Sequence, residues 1–329
     1  MFKHNNDNNK NILAIFGATG HQGSSIIHYV QNDATLSQKY PIIRAITRDV
    51  NSDQAKQLTL SNNNSHVKIE VVRGDAQDSI SLAAALAGAH TVFAMTTPDF
   101  GPDAVGAEYA RAQAIADAAV SQGVEYLVFS TLPAVGEISG GKYARVTPFD
   151  AKAKAERYIR GLPIRSAFYA GGWFMENFEA QTFLAPKLDA DGTTWVMSRN
   201  SSPQTKMPLV DAIGDTGKFV GAILAEPDKY EGKTFTGAVA LYTLEEVAAI
   251  LSKATGKNVV YRQISTEDFK KTLPPGLLGD IFVDAYSFQD EYGYFGPGTE
   301  ESVAWAVENA RGRLTTLEEY FEAHPLRLE

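Results

Sequence analysis

Three glycines spaced by three, Gly17, Gly20 and Gly23, are the residues best suited to hold a ligand. With Thr19, His21 and Gln22 between them they form Gly-Ala-Thr-Gly-His-Gln-Gly, preceded by the apolar run Ile12–Phe16. Gly17 permits a tight turn out of a strand. Gly20 lets backbone N–H groups approach a pyrophosphate, and Gly23 lets the following helix pack closely. An anion in such a loop sits at a helix N-terminus, where unpaired N–H groups and the dipole favour negative charge.

The end of the second strand bears on which dinucleotide would be held. An acidic residue there binds a ribose 2′-hydroxyl, whereas an arginine accepts a 2′-phosphate. The chain has Arg48 followed by Asp49. Arg48 can pair with a phosphate and stack on adenine. Asp49 can neutralise Arg48 or take the ribose contact itself. The expected cofactor is NADP, with NAD as the second option.

Other candidates follow from one rule: ligands of open α/β sheets lie beyond the carboxyl ends of the strands. Asp75 and Ala76 follow the third strand, where Asp75 can meet the adenine amino group or simply form a turn. Thr96, Thr97 and Phe100 after the fourth strand, and Ser130 and Thr131 after the fifth, are expected around the nicotinamide. Lys152 can reach the nicotinamide ribose and act as a base. Its bland alternative is a solvated pair with Glu156 at i+4. A reductase of this fold commonly has a tyrosine one helical turn before that lysine, but Pro148 stands there. Tyr143, the nearest upstream tyrosine, cannot share that helical face. With no Tyr–Lys pair, the expectation of conventional reductase chemistry falls. Tyr169, Trp173, Phe174 and Phe178 can wall the nicotinamide or belong to the core.

These residues need a scaffold, and the chain patterns as one. Strand-like runs at 12–16, 41–47, 67–72, 91–95, 125–130 and 164–169 alternate with helical patterns at 22–31, 52–60, 105–122 and 149–160. A further helix is expected from a Ser79 cap to Gly88. The alternation predicts an α/β Rossmann fold, a doubly wound parallel sheet with helices on both faces. Residues 32–40 and 61–65 read as loops. The glycine-rich segment 131–147 is long enough to be functional. After Gly171-Gly172 short strands and longer helices predict a smaller α+β lobe, interleaved with late strands of the sheet. The expected divisions are an N-terminal tail (1–10), an NAD(P)-binding Rossmann domain (11–170) and the C-terminal lobe (171–329).

Composition narrows the function further. Hydrophobic residues make up 44% and charged residues 21%, as in a globular protein. A net charge of −9 argues against holding nucleic acid by counterion release. The absence of cysteine excludes disulfides, thiolate metal sites and a catalytic thiol. No His/Asp/Glu cluster has metal-binding spacing. The asparagine-rich first ten residues lack the apolar segment of a signal peptide and read as a disordered tail. A cytoplasmic location is expected, with entry to the nucleus alongside a partner.

The chain resembles the NmrA-like proteins. The resemblance rests on residues 17–23, Arg48, Phe-Ser-Thr-Leu-Pro at 129–133, Thr-Pro-Phe-Asp-Ala-Lys-Ala-Lys-Ala-Glu at 147–156 and Gly-Gly-Trp-Phe-Met-Glu-Asn-Phe at 171–178. It implies an atypical branch of the short-chain dehydrogenases that binds NAD(P), lacks Tyr–Lys catalysis and includes regulators and redox sensors. The fungal founding member restrains a GATA-type transcription factor, so a regulatory protein partner of that kind is implied. Sister isoflavone and phenylcoumaran ether reductases keep a lysine in Phe-x-x-Lys, which Phe149-Asp150-Ala151-Lys152 matches. The leading expectation is a cofactor-binding sensor, monomeric or weakly dimeric. In it the segments 100–106 and 131–148 move with cofactor state. The alternative is an NADPH-dependent reductase using Lys152, which requires a substrate cavity walled by Trp173 and Phe174.

Overall fold

The computed structural model describes residues 11–60 and 66–328. The expected N-terminal tail and the asparagine-rich loop at 61–65 lie outside the described residues. The first half alternates strands and helices: β1 (Ile12–Phe16), α1 (His21–Asn32), α2 (Ala34–Lys39), β2 (Ile42–Thr47), α3 (Asp53–Leu60), β3 (Lys68–Arg73), α4 (Ser79–Leu86), β4 (Thr91–Ala94), α5 (Ala104–Ser121), β5 (Tyr126–Thr131), α6 (Val135–Ile138), α7 (Thr147–Arg160) and β6 (Arg165–Gly171). Beyond it come β7 (Trp173–Phe174), α8 (Asn177–Ala180), β8 (Lys187–Leu188), β9 (Thr194–Arg199), β10 (Lys206–Val210), α9 (Ala212–Ala225), α10 (Pro227–Tyr230), β11 (Thr234–Gly237), β12 (Ala240–Thr243) and α11 (Leu244–Thr255). The chain finishes with β13 (Asn258–Gln263), α12 (Thr266–Thr272), α13 (Leu277–Tyr292), α14 (Thr299–Asn309) and α15 (Leu317–Ala323).

Seven parallel strands form the large sheet in the order β11-β6-β5-β4-β1-β2-β3. The order reverses direction between β1 and β4, which opens a crevice beyond their carboxyl ends. Strand alternation splits the core between the two faces. Leu13, Ile15, Phe93 and Val128 point to one apolar cluster, and Ala14, Phe16, Val92 and Phe129 to the other. Helices α1 and α9 cover the first face, while α4, α5 and α7 cover the second. Two small sheets, β12-β10-β7 and β13-β9-β8, carry the rest of the chain.

The late segments close the early ones. β11 adds to the free side of β6, pairing Phe235 with Tyr169 and Gly237 with Gly171. α9 lies tightly on α1: a Cβ at Gly217 would fall 2.6 Å from the Ser25 carbonyl oxygen, and one at Gly221 would fall 2.4 Å from the Tyr29 ring. The Gly217 amide donates to Ser25 Oγ at 2.9 Å.

Three local expectations are corrected. Residues 32–40 are not a plain loop, because Asp33 Oδ1 accepts from the Thr35 and Leu36 amides, each at 2.9 Å, and caps α2. Leu36 is fully buried, which anchors that short helix. The cap of α4 is Asp78 rather than Ser79, its carboxylate accepting from the Ser81 amide. The segment 131–147 contains α6 and is tied back at several points. Asp33 also receives Arg311 Nε at 2.9 Å, so it joins the α1–α2 corner to the C-terminal lobe. Asp33→Ala is expected to lower the unfolding free energy by about 1–2 kcal/mol, the usual cost of losing an N-cap, read by chemical denaturation.

Candidate dinucleotide and substrate site

The glycine loop leaves β1 and turns at Gly17, whose φ of +65° is the left-handed conformation that favours glycine. The Gly20 amide donates to the Gly17 carbonyl at 2.9 Å and closes the turn. Gly20 is the N-cap of α1, and no side chain caps that end. The amide groups of the first helical turn are therefore free to face an anion. Gly23 supplies the steric condition. A Cβ there would sit 2.3 Å from the Gly17 carbonyl oxygen and 2.7 Å from Ala18 Cα, both backbone atoms.

A cavity of about 480 Å³ opens in front of this turn, at the reversal of strand order. Of the expected residues, Gly17, Gly20, His21, Gln22, Thr96, Ser130, Thr131 and Lys152 line it. Trp173 and Phe174 form part of its wall, with the His21 ring 6.3 Å from that of Phe174. Gln22 is buried, and its Oε1 has no hydrogen-bond partner among the described residues.

Other candidates fall elsewhere. Thr19, Thr97 and Arg48 are exposed and lie outside the cavity wall. Arg48 and Asp49 do not pair; the Asp49 carboxylate accepts from the Asn51 amide at 2.8 Å. Arg48 makes no ion pair among the described residues. Asp75 forms the turn, with Oδ1 accepting from the Gln77 amide at 3.0 Å, and neither it nor Ala76 reaches the wall. Tyr169 is corrected outright. It is fully buried in the main core, its hydroxyl 3.2 Å from Thr216 Oγ1. Its place on β6 turns the ring toward the α9 face and away from the crevice. Phe178 likewise packs against Trp173 and Phe321 and leaves the wall to Trp173.

Lys152 sits on α7, which begins with Pro148 in its first turn. The expected partner Glu156 is taken by Arg160. Lys152 instead forms a buried ion pair with Glu108 of α5. Thr96 Oγ1 donates to the same Glu108 oxygen at 2.7 Å. Glu108 and Lys152 are 1% and 7% exposed, so the pair is nearly dry. Burial pulls the lysine pKa below its ordinary range, and the Glu108 carboxylate acts in the opposite sense. The Thr131 hydroxyl donates to the Lys152 carbonyl at 3.4 Å and ties β5 to α7. Glu108 was missed in the sequence reading. Its signal is its register: the buried face of α5 runs Ala104, Glu108, Ala112, Ile115, Ala116 and Ala119, with one acid among small apolar residues.

A second chamber of about 260 Å³ adjoins the first and shares Pro98, Pro148, Phe149, Trp173, Asn177 and Tyr294 with it. Phe100 lines this chamber rather than the dinucleotide crevice. Its remaining walls are mostly apolar, with Val135, Val146 and the α13 residues Ile281, Phe282 and Phe288, and include the polar side chains of Gln181 and Gln289. The segment 131–147 is fastened over it. Arg145 donates to both Asp284 oxygens, at 3.0 and 2.7 Å, and Asp150 accepts from the Gly136 amide at 2.9 Å.

Two outcomes follow. Gly23→Ala forces backbone overlap and is expected to abolish dinucleotide binding in a calorimetric titration, with a lower melting temperature. Glu108→Gln leaves a buried ammonium without its counter-charge. It is expected to cost about 3–5 kcal/mol in denaturant unfolding, and Glu108→Gln with Lys152→Met recovers most of that loss.

Comparison with known proteins agrees with this architecture. The profile of the NmrA-like family matches residues 9–321. The NmrA-like family domain-containing oxidoreductase hkm9 of Aspergillus hancockii is 27% identical over 313 residues, covering 91% of this chain and 89% of its own. The structure of NmrA, a negative transcriptional regulator, in complex with NAD superposes with a TM-score of 0.78 at 23% identity, over 97% of this chain and 98% of that one. Triphenylmethane reductase from Citrobacter sp., complexed with NADP(H), gives a TM-score of 0.71 at 21% identity, over 95% and 99% of the two chains. The whole-length profile match, on a parallel sheet in this strand order, assigns the fold and the lineage together: the chain belongs to the NmrA-like family.

Proposed function

We propose that this protein binds NAD(P)(H) and is an oxidoreductase acting on a bulky, largely apolar substrate. The observation that carries the reading is the aromatic chamber that adjoins the dinucleotide crevice and shares a wall with it. A protein that only held a cofactor has no need of a second, apolar space there. The residues fit the cofactor. The uncapped first turn of α1 suits a pyrophosphate, the missing Cβ at Gly23 makes the cradle, and the unpartnered Gln22 Oε1 awaits a donor. Arg48, free of Asp49, suits a 2′-phosphate, and Lys152 suits the hydroxyls of the nicotinamide ribose. When bound, the reduced cofactor supplies a hydride. The oxidoreductase description of hkm9 and the NADP(H) bound to triphenylmethane reductase support the same reading.

The sensor reading has its own observation. Pro148 stands where a tyrosine would, and Lys152 already spends a donor on Glu108. On that reading cofactor state alters affinity for a regulatory protein, with a GATA-type transcription factor as partner and action in the nucleus as well as the cytoplasm. The NmrA structure, of a transcriptional regulator holding NAD, supports it. Turnover separates the two. Steady NADPH oxidation with aromatic aldehydes, enones or quinones, lost in Lys152→Ala, is expected for the oxidoreductase. Tight NADPH binding with no turnover across that panel would leave the sensor. Arg48→Ala is expected to weaken NADP by about 1.5–3 kcal/mol and NAD far less, measured by calorimetry. Equal losses would remove Arg48 from the 2′-phosphate.

A further inference from the structure

The missing tyrosine of the Tyr–Lys pair leaves a chemical gap. A hydride acceptor such as a carbonyl also needs a proton. Of the hydroxyls in the crevice wall, Thr96 donates to Glu108, Thr131 donates to the Lys152 carbonyl, and Ser130 lines the crevice without reaching the chamber. Six residues wall both the crevice and the chamber, and Tyr294 is the titratable one among them. Its hydroxyl makes no hydrogen bond among the described residues. Its ring is fixed, packing edge-on against Phe149 at 5.5 Å and Phe295 at 5.0 Å. Glycines set its place. Gly293 ends α13 with a φ of +80°, and Gly296 follows at +88°, so the chain can turn Tyr294 back under α7. Tyr286 also lines the chamber; it is 4% exposed, and its hydroxyl oxygen is buried without a partner among the described residues. A mostly apolar space that carries these two unpaired hydroxyls, with Asn177, Gln181 and Gln289 as its other polar side chains, suits a flat aromatic molecule bearing a hydrogen-bond acceptor.

We infer that the chamber binds an aromatic carbonyl compound and that Tyr294 holds its oxygen and delivers the proton. The inference rests on the oxidoreductase reading. The carbonyl carbon takes the hydride, its π pair moves to oxygen, and the oxygen takes the Tyr294 proton. The carbonyl is reduced to an alcohol, NAD(P)H is oxidised to NAD(P)⁺, and the tyrosinate regains a proton from water. Burial raises the Tyr294 pKa, which makes the phenol a weaker acid, so its proton passes only as the substrate oxygen gains alkoxide charge from the hydride. Tyr294 thus supplies from the C-terminal lobe what the start of α7 does not.

Two probes of similar shape test this through binding alone. In wild-type protein loaded with NADP⁺, 2-naphthaldehyde is expected to bind more tightly than 2-methylnaphthalene. Tyr294→Phe is expected to remove about tenfold of that advantage, as one lost hydrogen bond would, while 2-methylnaphthalene binds as before. Two acceptors then test the proton. With NADPH, Tyr294→Phe is expected to slow 2-naphthaldehyde reduction by about 100-fold. Reduction of the 10-methylacridinium cation, which takes hydride and no proton, is expected to be unchanged. Equal losses with both acceptors, or unchanged aldehyde reduction, overturn the proton role. Wild-type protein that binds the aldehyde no better than the hydrocarbon, or that binds neither, overturns the assignment of the chamber. Failure to bind NADPH is a failure of the oxidoreductase reading, and the naphthalene comparison on the free protein still decides whether Tyr294 holds a carbonyl.

Discussion

Glu108 and Lys152 meet in a nearly dry site between α5 and α7. Neither charge would stay in the interior without the other, since stripping water from an isolated ion costs far more than packing returns. The pair therefore sets where the two helices lie. Through Thr96 it reaches the end of β4, and through the Lys152 carbonyl it reaches Thr131 at the end of β5. The floor of the crevice is thus assembled from two strands and two helices around one ion pair. The lysine lines the cavity and is held in place before any ligand arrives.

This arrangement changes how the lysine should be viewed. An ammonium whose pKa is lowered by burial yields its proton more readily than a solvated one, yet a carboxylate beside it opposes that change. Burial and the carboxylate thus act on the lysine in opposite directions, with burial the larger. The pairing differs from a Tyr–Lys pair on one helix, since the partner of Lys152 comes from α5.

Much of the fold was legible because local rules apply locally. The unbroken apolar run Ile12–Phe16 predicted a strand buried on both faces, and the glycine spacing after it predicted the turn and helix that follow. The Asp33 cap of α2 was readable in principle, an aspartate just before a helix-forming run, but the polar residues around it suggested a loop. Tyr169 misled for a different reason. Its neighbours Trp173 and Phe174 do face the cavity, but strand alternation and the edge strand β11 commit Tyr169 to the opposite layer. Glu108 and Lys152 are 44 positions apart, and no periodicity links them. The chamber was least legible, because α13 and Tyr294 come to α7 only through the path of the whole C-terminal lobe.

The glycines of α9 have a consequence for how this chain can be divided. Gly217 and Gly221 let α9 settle on α1, the helix whose N-terminus frames the phosphate turn, while β11 closes the side of β6. A fragment cut after the sixth strand would keep every glycine of the nucleotide signature yet expose the back of the helix that presents it. The nucleotide-binding half is packed against late segments of the chain along both this helix and this strand. Its signature is written in the first 23 positions of the chain, and its support is written two hundred residues later.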